Sequence, residues 1–252
     1  MKKLILLLLT SVLFQLNAQN KNGEVKSYYE SGKLKSIVNY ENDLIQGELK
    51  EYYESGKIKF KISFIDNVIQ GKIFQYYESG ELFGIANNVD GLMHGEAKKY
   101  YKSGVLKNKV NFINGLQQGE ELFFFESGEI SNSINWVDGI KNGEAKDYYD
   151  SGKLMGVVNY VNGLRQGQEI NYYESGEIWI VLNRKNDNIQ GDVKEFLRSG
   201  ELKSKKKWIG SITTVYVFKG RLKGYDKLSS LYFFIGFCKL SKLFKVFQEK
   251  VR

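Results

Sequence analysis

One spacing constrains this chain more than any other feature: a Ser-Gly pair returns every 24 residues, eight times, without an insertion or a deletion. The glycines of this pair are Gly32, Gly56, Gly80, Gly104, Gly128, Gly152, Gly176 and Gly200. A second series of glycines keeps the same step: Gly23, Gly47, Gly71, Gly95, Gly119, Gly143, Gly167 and Gly191. A fixed period of this length is typical of repeat proteins, in which each unit contacts mainly its neighbours. The spacing therefore predicts a repeat array over residues 19–208.

Each repeat contains two short β-runs, each followed by a turn signal. In the first unit the runs are Val25–Tyr29 and Leu34–Tyr40. Glu30-Ser31-Gly32 follows the first run, and Asn42-Asp43 follows the second. In most later copies the second signal is Asp-Gly or Asn-Gly, which favours the type I′ hairpin turn. The predicted fold class is all-β: an elongated, single antiparallel meander of about eight hairpins.

Alternation along the second strand predicts which face is buried. Residues at the positions of Leu34, Val38 and Tyr40 are mostly apolar in every repeat, and they lie two or four residues apart. Such spacing places them on one face of a strand. The position of Asn39 is Asn or Ser in nearly every copy and points to the other face.

The register of each hairpin depends on the length of the Ser-Gly loop. A two-residue loop pairs Tyr29 with Leu34 on the apolar face and leaves Lys26 and Glu24 on the opposite face. A three-residue loop would bury Lys26 and Glu24, because a shift of one residue exchanges the two faces of a strand. The two-residue loop is therefore predicted.

With this register, the first aromatic residue of each Tyr-Tyr pair lies on the outer face of the sheet. These residues form what we call the outer row, the candidate partner-binding surface: Tyr28, Tyr52, Tyr76, Tyr100, Phe124, Tyr148 and Tyr172. Their rings repeat at about 10 Å, two strand spacings apart, and can hold a protein strand, a glycan or another copy of the sheet. The alternative is that they pack against cross-strand neighbours and stiffen the sheet.

The sequence offers no catalytic, cofactor or metal constellation. His94 is the only histidine and stands where other repeats have glutamine; Cys238 is the only cysteine. A zinc site or a histidine-activated nucleophile needs more of these residues than the chain contains. The glycines lie in hairpin turns and open no helix, so they do not form a phosphate loop. We expect no enzyme activity, no cofactor and no nucleic-acid partner.

The N-terminus has the pattern of a secretory signal peptide. Lys2 and Lys3 precede an apolar run of about 11 residues, shorter than a membrane-spanning helix needs, and Ala18 precedes the predicted cleavage site. We predict a signal peptide over residues 1–18 and export to the periplasm, the cell surface or the medium. An uncleaved N-terminal anchor is the alternative.

The C-terminal end differs in kind from the repeats. Residues 209–225 are predicted to be a closing strand and a linker, and residues 226–252 a basic amphipathic helix. From Lys203 onward the chain has 13 Lys or Arg and 2 Asp or Glu. Two functions remain open for the helix: a cap on the last strands, or attachment to an anionic membrane surface. The candidate membrane-contact residues are Lys239, Lys242, Lys245 and Lys250.

The repeat unit resembles a known family. Asp90-Gly91-Leu92-Met93-His94-Gly95-Glu96, followed by Tyr100-Tyr101-Lys102-Ser103-Gly104, is similar to a MORN repeat, and closest to the MORN-repeat variant of bacterial proteins. The doubled tyrosine and the 24-residue step depart from ordinary MORN units. The resemblance implies stacked hairpins and a scaffold or membrane-proximal role without catalysis. Proteins of this variant are often labelled YwqK-type antitoxins.

The sequence therefore predicts an exported, non-enzymatic scaffold that binds a protein or a glycan. A toxin-neutralising antitoxin or immunity protein, and a membrane-surface protein attached by its basic tail, are the alternatives.

Overall fold

The computed structural model describes residues 21–209 and 212–217, with side chains described for residues 21–208. The predicted signal peptide and the predicted amphipathic helix lie outside these residues. The chain divides at Gly104 into two compact units, unit 1 before Val105 and unit 2 from Val105 onward. The described residues form strands and turns, and they include no helix able to cross a membrane.

Unit 1 is an antiparallel meander. Each strand pairs with the one before it, except that β8 pairs with β6, as β7 does. Its strands are β1 Gly23–Tyr28, β2 Leu34–Glu41, β3 Leu44–Tyr52, β4 Ile58–Ile65, β5 Val68–Tyr76, β6 Leu82–Val89, β7 Leu92–Met93 and β8 Gly95–Tyr100.

Unit 2 follows the same plan, with β16 and β17 both pairing with β15. Its strands are β9 Leu106–Ile113, β10 Leu116–Phe124, β11 Ile130–Val137, β12 Ile140–Tyr148, β13 Leu154–Val161, β14 Leu164–Tyr172, β15 Ile178–Lys185, β16 Asn188–Ile189, β17 Gly191–Phe196, β18 Leu202–Ile209 and β19 Ile212–Val217. The predicted all-β antiparallel architecture is confirmed in each unit.

The second turn of each of the first seven repeats is the predicted type I′ turn. Asn42 and Asp43 have φ of 50° and 64°, and Asp90 and Gly91 have φ of 49° and 77°. The other pairs with two positive φ values are 66–67, 114–115, 138–139, 162–163 and 186–187. A type I′ turn requires positive φ at both central residues, which Asn, Asp and Gly adopt most easily.

The prediction of a two-residue Ser-Gly loop is wrong. The Tyr29 amide donates to the Lys33 carbonyl at 2.8 Å and the Gly32 amide to the Tyr29 carbonyl at 2.9 Å, which encloses a loop of three residues. Gly32 has φ of 80°, so the loop is a turn closed by a glycine bulge, the common three-residue hairpin connection.

Beyond the bulge the faces remain as predicted, because the bulge offsets the longer loop. The prediction for Leu34 is wrong: it pairs with Tyr28 and so lies on the outer face, not on the core face with Val38. Tyr28 pairs with Leu34, but Ser27 pairs with Ser36, so Lys35 is an extra residue on β2. Beyond this bulge Val25 pairs with Val38, the register that a two-residue loop would have given. A bulge shifts the pairing by one residue and so restores the original alternation of the two faces.

The second glycine series marks a further bulge. Ile37 pairs with Lys50 while Asn39 pairs with Gln46, so three residues of β3 oppose the single residue Val38. The two extra residues leave the alternation unchanged. The first of the three is Gly47, whose φ of 75° favours glycine.

The apolar face is confirmed as the core. In unit 1, Val38, Tyr40, Leu49 and Phe64 are buried and in contact, with these partly buried side chains packed around them: Val25, Ile45, Ile62 and Ile69. Asn39, one residue from Val38, is exposed. Residues two apart therefore share a face along β2, as the sequence pattern predicts.

Candidate functional site

The two tyrosines of each Tyr-Tyr pair have different surroundings. The hydroxyl of the second tyrosine donates a hydrogen bond to the backbone carbonyl of the first aromatic residue of the next repeat. In unit 1 these bonds are Tyr29 to Tyr52 at 2.6 Å, Tyr53 to Tyr76 at 2.8 Å and Tyr77 to Tyr100 at 2.8 Å. In unit 2 they are Tyr149 to Tyr172 at 2.7 Å and Tyr173 to Phe196 at 2.8 Å. In these five repeats the second tyrosine thus links its repeat to the next within the same unit.

Phe125 occupies the second-tyrosine position of its repeat and has no hydroxyl to donate. We expect Phe125→Tyr to add a hydrogen bond to the Tyr148 carbonyl and to stabilise unit 2 by up to about 1 kcal/mol. Tyr149→Phe should destabilise it by a similar amount, since it removes the bond to the Tyr172 carbonyl. Thermal unfolding of the two variants measures both effects; equal midpoints for both variants and the wild type would contradict this role.

The tyrosine hydroxyls of the outer row differ from those of the second tyrosines. Among the described residues, no hydrogen bond involves a side-chain hydroxyl of the outer row, in contrast to the second tyrosines. Tyr28 is exposed over 57% of its surface and the other members are half-buried. Each ring therefore offers part of one face and, except at Phe124, a hydroxyl able to donate or accept a hydrogen bond.

Glu–Lys pairs lie on the same strands and the same face as the outer row. Lys26 binds Glu24 at 2.9 Å, and three further repeats have the equivalent pair: Lys50–Glu48, Lys98–Glu96 and Lys146–Glu144. The hydrogen bond that each lysine donates to its glutamate raises the pKa of the lysine above the ordinary value, and the attraction of the two charges adds to this. These exposed pairs contribute little to stability. They surround the aromatic row with fixed charges of both signs.

Two repeats of unit 2 have a glutamate where the others have a core aliphatic residue. Glu169 accepts a hydrogen bond from Arg184 Nε at 2.7 Å, and both side chains are largely buried. Arg184 itself replaces the core aromatic residue of most other repeats, so the two exceptions compensate each other. The sequence pattern alone does not show that these two residues are partners.

The second glutamate, Glu121, is the most buried large side chain described. It accepts hydrogen bonds from Asn108 Nδ2 at 2.6 Å, Trp136 Nε1 at 2.9 Å and Gln117 Nε2 at 3.3 Å. A buried carboxylate requires such donors. The cluster is enclosed by its own donors, which indicates a structural role.

The last type I′ turn is tied to the repeat before it by an ion pair. The backbone amide of Arg165 donates to Asp187 Oδ1 at 3.1 Å and its Nε to the same oxygen at 3.0 Å. These hydrogen bonds hold the pKa of Asp187 below its ordinary value, and the bond that the Arg165 side chain donates to Asp187 raises the pKa of Arg165. These contacts link the turn at residues 186–187 to the start of β14 in the preceding hairpin.

Sequence analysis missed an exposed apolar feature at the type I′ turns. At five of the seven described type I′ turns, the flanking residues are an aliphatic pair on the same face as the outer row. We call those of unit 2 the turn-edge stripe: Ile113, Leu116, Val137, Ile140, Val161 and Leu164. All but Leu116 are at least 41% exposed. The turns stack on this stripe, since a Cβ on Gly139 would lie 3.4 Å from Leu116 Cδ2. The sequence signal for this stripe was the aliphatic residue on each side of the Asn-Gly and Asp-Gly turns.

His94 lies between β7 and β8, where its backbone amide donates to the Asn87 carbonyl at 2.9 Å. Gln190 makes the equivalent contact with Asn183. This agrees with the interpretation of His94 as a turn residue in the glutamine position. Within the described part of the chain, no group of three or more His, Cys, Asp or Glu side chains is placed to hold a metal ion.

The repeats match a known family model, described as the MORN repeat variant. Five segments match: residues 21–42, 45–66, 93–114, 141–162 and 165–186. Each begins just before a repeat's bulge glycine or just after a type I′ turn and contains one complete Ser-Gly hairpin. These five segments therefore match the family that the resemblance implied. No curated protein matches the chain, and the antitoxin label stays a prediction.

Solved structures give weak matches. A crystal structure of the GtfA/B complex bound to UDP and GlcNAc is 14% identical, with 43% of this chain and 21% of that chain covered and a TM-score of 0.21. The crystal structure of TcdB2-TccC3-Cdc42 is 13% identical, with 77% and 13% covered and a TM-score of 0.21. TcdB2-TccC3 without its hypervariable C-terminal region is 12% identical, with the same coverage and a TM-score of 0.22. This chain spans at most about a fifth of each of these structures, and the scores are too low to indicate a shared fold.

Proposed function

We propose that this protein is an exported, non-enzymatic scaffold that binds a protein partner through the outer row. One observation carries the proposal: in five repeats the second tyrosine is anchored to the next repeat, while the first tyrosine presents its ring and hydroxyl on the outer face. Tyr and other aromatic residues dominate the energetics of protein interfaces because they supply large contact areas at a low entropic cost.

The surroundings of the row favour a polypeptide partner. The Glu–Lys pairs beside the rings supply charges of both signs, as in the polar rim of a protein interface. The repeat step presents these groups at regular intervals, which suits a partner that is itself extended along the sheet. Export follows from the predicted signal peptide over residues 1–18, with Ala18 before the cut.

Capture by the full chain tests the proposal. The tagged protein, expressed in its own host and cross-linked, should fractionate outside the cytoplasm and retain one specific protein. The triple variant Tyr76→Ser, Tyr100→Ser, Tyr148→Ser should lose most of that capture. A matched control, Tyr77→Phe and Tyr149→Phe, removes only hydroxyls of second tyrosines and should retain it. Unchanged capture by the serine variant would remove the outer row from the function, and a cytoplasmic location would overturn export.

The identity of the captured protein separates the predicted alternatives. A toxin whose growth inhibition is relieved by co-expression of this chain would assign the antitoxin or immunity role. A glycan-dependent capture, abolished by deglycosylation of the partner, would assign the glycan role. Capture of a single protein with neither property supports the scaffold.

A further inference from the structure

The turn-edge stripe is an exposed apolar feature that the proposed function leaves unused. Its most exposed members are Ile140 at 50%, Val137 at 46% and Ile113 at 45%. They lie on consecutive turns, so the apolar surface is continuous and not scattered. Continuous exposed apolar surface of this kind usually marks a site that another segment or protein covers.

We propose that residues 226–252 of the same chain dock on the turn-edge stripe of unit 2. The segment is rich in apolar residues, which can cover such an apolar surface. Its apolar residues recur at three- and four-residue spacings: Leu228, Leu231, Ile235, Leu243, Phe244, Phe247 and Val251. Amphipathic helices commonly bind apolar grooves and sheet faces through side chains at this spacing.

The length of the chain beyond β19 suits this docking. Val217, the last residue of β19, lies four strand positions from β14, about 19 Å across the sheet, and about 17 Å along the strand from the turn edge where β19 begins. The direct distance from Val217 to the Leu164 end of the stripe is therefore about 25 Å. The eight residues 218–225 extend up to about 28 Å, enough to reach the Leu164 end of the stripe. From β14 to β9 the stripe covers five strand spacings, about 24 Å. A helix of 27 residues is about 40 Å long, so residues 226–252 suffice to cover it.

Charge also favours this occupant. Asp138 lies exposed in the turn at the stripe, and Glu120 lies exposed further along β10. The segment 226–252 has six basic and two acidic residues. Opposite charges around an apolar contact fix its register and suppress competing partners. The stripe also ends before β15 and β16, where Lys185 and Asn188 replace the aliphatic pair.

The only cysteine, Cys238, falls within the docking segment and reports on it without any engineered label. In the full chain, we expect a thiol reagent to modify Cys238 at least about tenfold more slowly than in the same chain unfolded in urea, because docking shields the thiol. The double variant Val137→Ser, Ile140→Ser should bring the rate close to that of the unfolded chain.

Ile178→Ser is the matched control, since Ile178 is an aliphatic residue of unit 2 that is 40% exposed but lies outside the stripe. It should leave the labelling rate unchanged, and circular dichroism should show all variants folded. Hydrogen exchange over 226–252 should follow the labelling rates. Labelling of the wild-type thiol as fast as in urea, or protection that appears only with phosphatidylserine vesicles, would overturn the proposal. Protection unaffected by Val137→Ser, Ile140→Ser would also overturn it.

Discussion

Replacing Arg184 by leucine is expected to destabilise the β14–β15 hairpin by about 3 kcal/mol, because it leaves the Glu169 carboxylate buried without its cation. Arg184 Nε lies 2.7 Å from Glu169 Oε2 and Nη2 lies 3.4 Å from Oε1. The two side chains are only 14% and 15% exposed, so water cannot replace the lost partner. Hydrogen exchange of the β14 and β15 amides measures the free energy of opening this hairpin.

The double variant Glu169→Val, Arg184→Tyr is the control. It installs the pair found at these positions in the first repeat, Val25 and Tyr40. Replacing a buried ion pair by apolar residues of similar volume is often neutral or stabilising. We expect the double variant to be at least as stable as the wild type, with a coupling energy of about 2 kcal/mol or more in the cycle. Additive effects of the two single substitutions would show that the residues do not compensate each other.

Gly119→Val is expected to destabilise unit 2 by about 2 kcal/mol, through the backbone alone. Gly119 has φ of 75°, a conformation that β-branched residues rarely adopt. A Cβ at this position would meet no atom within 4 Å, so steric overlap with neighbours is not the cause. Gly119 stands opposite Trp136, where the bulge sets the register of the following hairpin.

Gly119→Asn separates backbone strain from the loss of glycine itself. Asparagine tolerates positive φ, as Asn42 and Asn67 do in the type I′ turns, and it should cost less than about 1 kcal/mol. Urea unfolding of the two variants gives the comparison. Equal losses for valine and asparagine would show that the bulge geometry does not depend on this residue.

Features that recur in every repeat were predictable from the sequence. Features in which one irregularity offsets another were not. The type I′ turns follow from Asn, Asp and Gly, because few other residues adopt positive φ twice in succession. The buried face follows from alternation at Val38 and Tyr40. The Ser-Gly loop was predicted one residue too short because the compensating bulge at Lys35 leaves no signal in the alternation.

The candidate site was predictable to a similar degree. The outer row follows from the register, but the hydroxyl bonds of the second tyrosines join residues 23 positions apart and need the stacking of hairpins to be known. Glu169 and Arg184 each depart from the residue type found at their position in most other repeats. Only their 2.7 Å contact shows that the two departures compensate each other. The turn-edge stripe was visible in the sequence, but its exposure depends on the absence of a second layer over those residues in the described part of the chain.

The central claim is that the first aromatic residue of each Tyr-Tyr pair binds the partner, whereas the second tyrosine stabilises the sheet. The affinity for the captured protein tests this claim most directly. Isothermal titration should give the variant Tyr76→Ser, Tyr100→Ser, Tyr148→Ser a Kd at least about a hundredfold above that of the wild type, since truncated aromatic hot spots typically cost about 1 kcal/mol or more each. The variant Tyr77→Phe, Tyr149→Phe should bind within about threefold of the wild type while unfolding at a lower temperature. Lost affinity in the phenylalanine variant with full affinity in the serine variant would contradict the account.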